Sequence, residues 1–138
     1  MKTETLIEKA KLVREKAYAP YSKFKVGAAL EVKSGTVYTG CNIENSSYSL
    51  TCCAERVAIF QAIAQGEREF NHLVVIGDTE EPIRPCGACR QVMSEFFDEN
   101  VKITLINLQG DYEETNISQL LPASFTLKNE KNKPSQVN

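Results

Sequence analysis

Residues 73–76, Leu-Val-Val-Ile, form a short, wholly apolar run in a chain of 138 residues. Such a run predicts a strand that is buried on both faces of a sheet. A segment with helical apolar spacing precedes it over residues 52–65, with Gly66 as its stop, and another follows it from residue 86 or 87 to residue 97. A buried strand between two helices indicates an α/β fold.

The N-terminal part of the chain adds a helix and a pair of strands. Thr5 and Glu8 have the spacing of a capping box, at the start of a helix that ends before Pro20. Residues 23–32 begin with alternating polar and apolar side chains, which predicts a strand, and a Ser-Gly turn joins them to a second strand over residues 36–41.

The C-terminal part adds two more strands and a short helix. Residues 102–107 and 112–115 predict the strands, and Ser118 is a candidate N-cap for a helix that ends before Pro122. Together these elements predict a three-layer α/β/α fold, with helices on both faces of a mixed sheet.

The composition fits one globular domain, with 42% hydrophobic and 25% charged residues. We place this domain over residues 1–128 and expect a polar, disordered tail over residues 129–138. A net charge of −2 and the lack of a Lys/Arg run argue against a nucleic-acid partner. No apolar stretch approaches the roughly 20 residues that span a bilayer. Since the N-terminus also lacks a signal-peptide pattern, we expect a cytoplasmic protein without a membrane partner.

The five cysteines are an odd number, which in a cytoplasmic protein favours metal binding or catalysis over disulfides. Cys86 and Cys89 are three residues apart and share one face of a helix. Cys53, at the start of the preceding helix, can supply a third ligand. Three protein ligands leave the fourth position of a tetrahedral Zn²⁺ open, as in catalytic sites. The sequence therefore predicts one catalytic zinc ion per chain.

Glu55 follows Cys53 by two residues, in the first turn of the same helix. Because side chains lean toward the helix N-terminus, both can converge on a point beyond its end. A carboxylate there is placed for general acid–base catalysis beside the metal. Zinc with three thiolates has a net charge of −1, and our hypothesis is that Arg56 and two helix N-termini offset it. The zinc content and pH–rate profile of Arg56→Ala test this charge-tuning role.

The motifs Cys53-Ala54-Glu55 and, over residues 85–89, Pro-Cys-Gly-Ala-Cys together have the form of the zinc-deaminase signature with three cysteine ligands. With the segments 19–24, 40–45 and 85–91, the chain resembles the homotetrameric type of cytidine deaminase over nearly its whole length. The resemblance implies a five-stranded sheet whose first strand is antiparallel to its neighbours. It also implies zinc-dependent hydrolysis of cytidine and 2′-deoxycytidine to uridine and 2′-deoxyuridine, with release of ammonia, in pyrimidine salvage.

The resemblance further implies the roles of individual residues. Cys53, Cys86 and Cys89 match the zinc ligands. Glu55 matches the residue that carries a proton from the zinc water to the ring N3 and then to the leaving amine. All four residues lie at the start of one of the two helices predicted on either side of residues 73–76.

Six further residues match positions that hold the nucleoside: Phe24, Asn42, Glu44, Tyr48, Ala54 and Phe125. Asn42 and Glu44 match ligands of the ribose hydroxyls. Phe24 matches an aromatic ring that packs against the nucleoside, and the Ala54 backbone helps to hold the base. Tyr48 and Phe125 match residues that neighbouring subunits contribute, so the resemblance implies a homotetramer with shared pockets.

The residues by themselves also fit other interpretations. Phe24 on an apolar strand face is typical of a core residue, and Arg56 fits a surface salt bridge. Cys41 and Cys52 are interpreted as small core or loop residues. Arg84 stands where related sequences usually have a small residue, and we expect its side chain to be solvated because a residue before proline is extended.

Three rival functions are weighed against nucleoside deamination. The clamp of Asn42 and Glu44 favours cytidine over an aminonucleoside antibiotic of the blasticidin type. The acidic composition and the lack of a basic or aromatic strand-binding segment argue against a polynucleotide substrate. A structural zinc module normally has four closed ligands. A fourth ligand here would be Cys41, Cys52 or His72, and none of these has paired spacing.

Overall fold

The computed structural model describes residues 1–128, and the tail predicted over residues 129–138 lies outside them. The elements follow the predicted order along the chain. The helices are α1 (Thr3–Arg14), α2 (Ala54–Ala64), α3 (Gly87–Phe96) and α4 (Ile117–Leu120), and the strands are β1 (Val26–Val32), β2 (Val37–Cys41), β3 (Phe70–Gly77), β4 (Lys102–Asn107) and β5 (Tyr112–Thr115). A single 3₁₀ turn, Tyr48–Leu50, lies in the loop before α2.

The five strands form one mixed sheet in the order β2-β1-β3-β4-β5. β1 is antiparallel to both of its neighbours, β3 and β4 are parallel, and β5 is antiparallel to β4. The expected five-stranded sheet, with its first strand antiparallel to its neighbours, is therefore confirmed. The parallel pair places the carboxyl ends of β3 and β4 side by side.

Helices cover both faces of this sheet, which confirms the three-layer arrangement. Leu6 and Ala10 of α1 pack against Val74 and Ile76 on one face. Residues of α2, α3 and α4 pack against the other face in a larger cluster that includes Leu73. The central strand β3 is thus buried from both sides, as its apolar run predicts. Within residues 1–128, none of the helices is both long and apolar enough to cross a bilayer.

Two glycines allow helix backbones to lie directly on the strands. A Cβ atom on Gly27 would be 2.1 Å from the carbonyl oxygen of Ala10 in α1. A Cβ atom on Gly40 would be 2.5 Å from both the Ala54 carbonyl oxygen and the Ala58 nitrogen in α2. A side chain at either position would push its helix away from the sheet. Gly40 therefore fixes the position of the first turn of α2.

Two predicted helix caps are wrong. The capping box at Thr5 fails because the N-cap of α1 is Lys2, three residues earlier, whose side chain makes no capping hydrogen bond. Ser118 is not the cap of α4, because Asn116 occupies that position with an extended backbone. The Asn116 side-chain oxygen accepts from the Gln119 nitrogen at 3.0 Å. A cap is decided by where the backbone leaves the helical conformation, which the spacing alone did not reveal.

Candidate active site

Three thiols meet where the N-termini of α2 and α3 converge. Cys53 is the N-cap of α2, Cys86 is the N-cap of α3, and Cys89 lies in the first turn of α3. Their sulfur atoms all lie within 4.8 Å of one another. The Cys53 and Cys86 sulfurs are 3.9 Å apart. The two predicted motifs therefore form one cluster, although 33 residues separate them.

This sulfur cluster has the dimensions of a zinc site. Tetrahedral zinc with Zn–S bonds of about 2.3 Å separates its sulfur ligands by about 3.8 Å. In the part of the chain that the structure describes, the cluster has three members and no His, Asp or Glu atom joins it. Three ligands leave one position of a tetrahedral ion for a group from outside the protein. The donor set thus fits one Zn²⁺ per chain of the catalytic kind.

The guanidinium of Arg56 faces this cluster. Its Nη2 donates to the Cys53 sulfur at 3.4 Å and to the Thr51 carbonyl at 3.5 Å. Hydrogen bonds from the Cys89 thiol and from Arg56 lower the pKa of Cys53 to about 5. The pKa of Cys89 is raised, because the thiol donates to Cys53 and is buried. The neighbours of Cys53 therefore favour its deprotonated form, and a fixed positive charge lies beside it.

Glu55 lies in the first turn of α2 with only 4% of its surface exposed. This burial raises the pKa of its carboxyl group to about 7. A carboxyl group that titrates near neutral pH can both accept and donate a proton there. Glu55 also lines the same cavity as Cys53 and Cys86. The structure therefore places it where the sequence predicts an acid–base group.

The cavity beside the cysteine cluster has a volume of about 370 Å³. That is the size range of sites for small molecules. Five of the six predicted nucleoside-binding residues line it: Phe24, Asn42, Glu44, Tyr48 and Ala54. A larger groove of about 520 Å³ runs beside α3 and α4, but none of the predicted site residues lines it. Chemistry, rather than volume, therefore identifies the smaller cavity as the site.

Asn42 is buried in the cavity wall and is held by the strand that begins next to it. Its Oδ1 accepts from the Val26 nitrogen at 2.8 Å, and its Nδ2 donates to the Phe24 carbonyl at 2.8 Å. A side-chain amide has two N–H groups and two lone pairs. One N–H group and one lone pair of Asn42 therefore remain for a ligand.

Glu44 is held in a similar way by the segment before β1. Its Oε1 accepts from the backbone nitrogens of Tyr21 at 3.0 Å and Ser22 at 3.1 Å, and the Ser22 hydroxyl donates to Oε2. The Ser22 hydroxyl is the main reason why the pKa of Glu44 lies below its usual range. A carboxylate offers about four acceptor positions, so about one remains for a ligand.

The aromatic residues divide between the cavity and the outer surface. Phe24 lines the cavity with 37% of its surface exposed, so it is not the core residue that its strand pattern also allows. Tyr48 lines the cavity of its own chain and is exposed. Phe125 lies outside this cavity, with an exposed ring, and its carbonyl accepts from Gln91 at 3.1 Å. Phe125 is the predicted residue that a single chain does not bring to the site.

Several cavity residues were missed by sequence reasoning, namely Ser22, Val26, Thr51, Thr79 and Ile83. Thr79 had a usable signal, because it follows the buried strand β3 at its carboxyl end, where sites in α/β sheets lie. For Ser22 and Thr51 we find no such signal. Each is a loop residue whose direction depends on the neighbouring chain.

The remaining residues singled out in the sequence lie at the margins of the site. Arg84 lines the cavity mouth, is largely exposed as expected, and pairs with Glu113 at 3.4 Å. Cys41 and Cys52 are half-buried and stay outside the sulfur cluster. His72 is buried in β3 and hydrogen bonds to the Thr104 hydroxyl at 2.7 Å. Its role is structural.

Known proteins resemble this chain in sequence and in fold. The family model for the cytidine and deoxycytidylate deaminase zinc-binding region matches residues 1–105. The cytidine deaminase of Sporosarcina psychrophila is 56% identical over 126 residues, which are 91% of this chain and 93% of that protein. That of Halalkalibacterium halodurans is 52% identical over 126 residues, 91% and 96% of the two chains.

The three-dimensional comparison agrees. The crystal structure of cytidine deaminase from Burkholderia pseudomallei superposes with a TM-score of 0.89 and 54% identity, covering 91% of this chain and 100% of that one. The family model, the sequence identities and the superposition agree with one another. The chain belongs to the zinc-dependent cytidine and deoxycytidylate deaminase family.

Proposed function

We propose that the chain hydrolyses the 4-amino group of free cytidine and of 2′-deoxycytidine, giving uridine or 2′-deoxyuridine and ammonia. One observation supports hydrolytic deamination as the reaction type. The buried carboxyl group of Glu55, with a pKa of about 7, lies beside three clustered thiols at the wall of a nucleoside-sized cavity. Cytidine as a substrate is supported by the two bacterial relatives, both of which are cytidine deaminases.

The extension to 2′-deoxycytidine is supported by the hydrogen-bonding capacity of the clamp. Asn42 and Glu44 are largely occupied by the backbone of residues 21–26. One hydroxyl group that donates to Glu44 and accepts from Asn42 uses most of what remains. A second hydroxyl on the sugar is then not required. We therefore expect both nucleosides to be turned over.

The chain's own residues account for the proton transfers and for substrate orientation. Bound zinc would supply a Lewis acid that makes a water molecule nucleophilic near neutral pH. Glu55 accepts a proton from the attacking water and passes it to the ring N3, which keeps it in the product. Glu55 then carries a second proton from the hydroxyl group added at C4 to the leaving amine. Phe24 packs against the nucleoside, an interaction worth roughly 1–3 kcal/mol per stacked base. The Ala54 backbone, next to Cys53, holds the base.

A conservative substitution of Glu55 tests the reaction. We expect Glu55→Gln to keep about one zinc ion per chain while turnover falls on the order of 10²-fold or more, as for a lost general acid–base. The exposed Glu99 offers a matched control, and Glu99→Gln should leave turnover unchanged. Ammonia release from cytidine, 2′-deoxycytidine, cytosine, CMP and blasticidin S is the measurement. Turnover of blasticidin S alone, or an active Glu55→Gln, would contradict the proposal.

We also propose that the enzyme is a cytoplasmic homotetramer that acts in pyrimidine salvage. Three ligands must be reduced thiols, which supports a reducing compartment. Large apolar side chains are exposed on the single chain, among them Tyr48, Leu50, Phe60 and Phe125. Exposed apolar surface of this kind is typical of an interface. A free nucleoside as substrate is what supports the salvage role.

Mixed oligomers test whether pockets are shared. We expect Phe125→Ala chains to bind zinc but to turn cytidine over poorly. After unfolding and refolding together with Glu55→Gln chains, activity should reappear, because some pockets then combine an intact Glu55 with an intact Phe125. Light scattering gives the mass of the assembly. A monomeric mass, or no recovery on mixing, would contradict shared pockets.

A further inference from the structure

Asn107 is the last residue of β4, and its side chain is almost completely buried, with 1% exposed. It lies beside Gly77, the last residue of β3, in the parallel pair. The chain continues from Gly77 into residues 78–85, a loop without regular structure that leads to Cys86. We call residues 78–85 the ligand loop, because three of its side chains, Thr79, Ile83 and Arg84, line the cavity.

All four hydrogen-bonding positions of the Asn107 side chain are occupied. Its Oδ1 accepts from the backbone nitrogens of Gln109 at 3.1 Å and Asp111 at 2.9 Å. Its Nδ2 donates to the Asp111 carboxylate at 3.1 Å and to the Glu80 carbonyl at 3.0 Å. The first three bonds close the turn between β4 and β5. The fourth leaves the turn and crosses to the ligand loop.

That fourth bond lies between two other anchors of the ligand loop. At the start of the loop, the Thr79 nitrogen donates to the Gly77 carbonyl at 3.1 Å. At its end, the Arg90 side chain donates to the Pro85 carbonyl at 2.8 Å. Between these points the Arg84 ion pair is exposed, and such pairs contribute little. An asparagine that closes a turn needs only its side-chain oxygen, as an acceptor. The turn between β4 and β5 therefore does not explain why the Asn107 Nδ2 donates to the Glu80 carbonyl.

We propose that Asn107 is a positioning residue for the active site. Through the Glu80 carbonyl it fixes the middle of the ligand loop, and thereby the place of Cys86 and of the cavity wall formed by Thr79 and Ile83. This inference rests on the proposed function for its kinetic consequence only. Its consequence for metal affinity is independent of the substrate.

A double substitution, Asn107→Asp combined with Asp111→Asn, separates the two jobs of Asn107. The new carboxylate oxygens at position 107 still accept from the two turn nitrogens, and the new amide at position 111 donates back to position 107. The turn therefore keeps its bonds. The Glu80 carbonyl, in contrast, loses its donor and faces a carboxylate oxygen instead.

We expect this double variant to bind zinc roughly three- to tenfold more weakly in competition with a chelator, the size of effect of one buried hydrogen bond. KM for cytidine should rise by a similar factor. In contrast, kcat should change less than twofold, because Glu55 lies on α2 and not on the loop. The matched control is Gly110→Ala, which strains the turn at φ +98° and leaves the Glu80 bond intact. It should lower Tm without changing zinc affinity or KM.

Asn107→Ser provides a second variant if the double variant does not fold. Its hydroxyl can still accept within the turn but is too short to reach the Glu80 carbonyl. Weaker zinc binding in either variant, with Gly110→Ala unchanged, supports the proposal. Zinc affinity equal to wild type in a folded variant, or an equal loss in Gly110→Ala, overturns it. Absence of cytidine turnover in the wild type would refute the proposed function and leave the zinc comparison valid.

Discussion

The two ends of the cavity are built on opposite plans: the metal end holds the cysteine cluster, and the other end holds the clamp of Asn42 and Glu44. At the metal end, Cys53, Cys86 and Cys89 bring three sulfur atoms together at two helix N-termini. At the clamp, Asn42 and Glu44 are hydrogen bonded to the backbone that surrounds them. One end has the donor set of a metal site, and the other is held in place by the chain's own hydrogen bonds.

This contrast teaches how the two ends should respond to substitution. The metal end is an assembly of groups whose charges offset one another, so changes there act on zinc affinity, proton transfer and turnover. The clamp is a structural network that also faces the substrate. Changes there act on the stability of the chain and on KM together, because a buried polar group that loses its partner is costly.

Removal of zinc should have the largest effect. We expect a chelator to abolish nearly all turnover and to lower Tm, and added zinc to restore both. At a zinc concentration a thousand times the Kd, binding stabilises the folded chain by about 4 kcal/mol. Activity and thermal unfolding are measured before and after chelation. The control is Cys41→Ser, outside the cluster, which should behave as wild type. Activity that survives full chelation would show that turnover does not depend on the metal end.

Substitution of the clamp should have the next largest effect and a different signature. We expect Asn42→Ala to destabilise the chain by about 1–3 kcal/mol, because the Val26 nitrogen and the Phe24 carbonyl lose a buried partner. KM for cytidine should rise by one to two orders of magnitude, about the same free energy. Chemical denaturation and steady-state kinetics are the measurements, with the exposed Asn45→Ala as control. A change in KM without loss of stability would show that the clamp is not structural.

Arg56→Ala tests the balance of charge at the metal end. With the guanidinium gone, groups beside the thiolates face more uncompensated negative charge and release protons less readily. We therefore expect the acidic limb of the pH–rate profile to move to higher pH and turnover at pH 7 to fall roughly tenfold, the scale of one charge-assisted hydrogen bond. Arg68→Ala, an exposed residue in the loop between α2 and β3, is the control. An unchanged profile with unchanged zinc content would end the charge-tuning hypothesis.

Ser22→Ala should give the smallest effect, and one that depends on pH. The Ser22 hydroxyl holds the pKa of Glu44 below its usual range, so its stabilising contribution is present above the unfolded pKa of about 4.3. That contribution is lost as the pH falls through the lower folded pKa. We expect wild type to exceed Ser22→Ala in stability at pH 7 and the gap to close below about pH 4. Ser34→Ala is the exposed control, and a gap that is constant with pH would contradict this.

Much of the fold could be predicted because its signals are local. The apolar run of β3, the strand limits of β4 and β5, and the stop of α2 at Gly66 depend on side chains within a few residues of one another. The caps of α1 and α4 could not be predicted this way. Lys2 and Asn116 occupy the N-cap positions because of where the packed helices begin, and that depends on the sheet beneath them.

The candidate site divides along the same line. The sequence by itself indicated the zinc site, because Cys86 and Cys89 share one helix face and Cys53 begins the preceding helix. The zinc-deaminase signature that these residues and Glu55 match supplied the reaction type. Only the tertiary structure showed that Asn42 and Glu44 bond to the backbone of residues 21–26, and that Asn107 reaches the ligand loop. The physical reason is the separation along the sequence of the residues that must interact. Helix geometry positions residues that are close in sequence, whereas a hydrogen bond between loops exists only after the strands that carry them have paired.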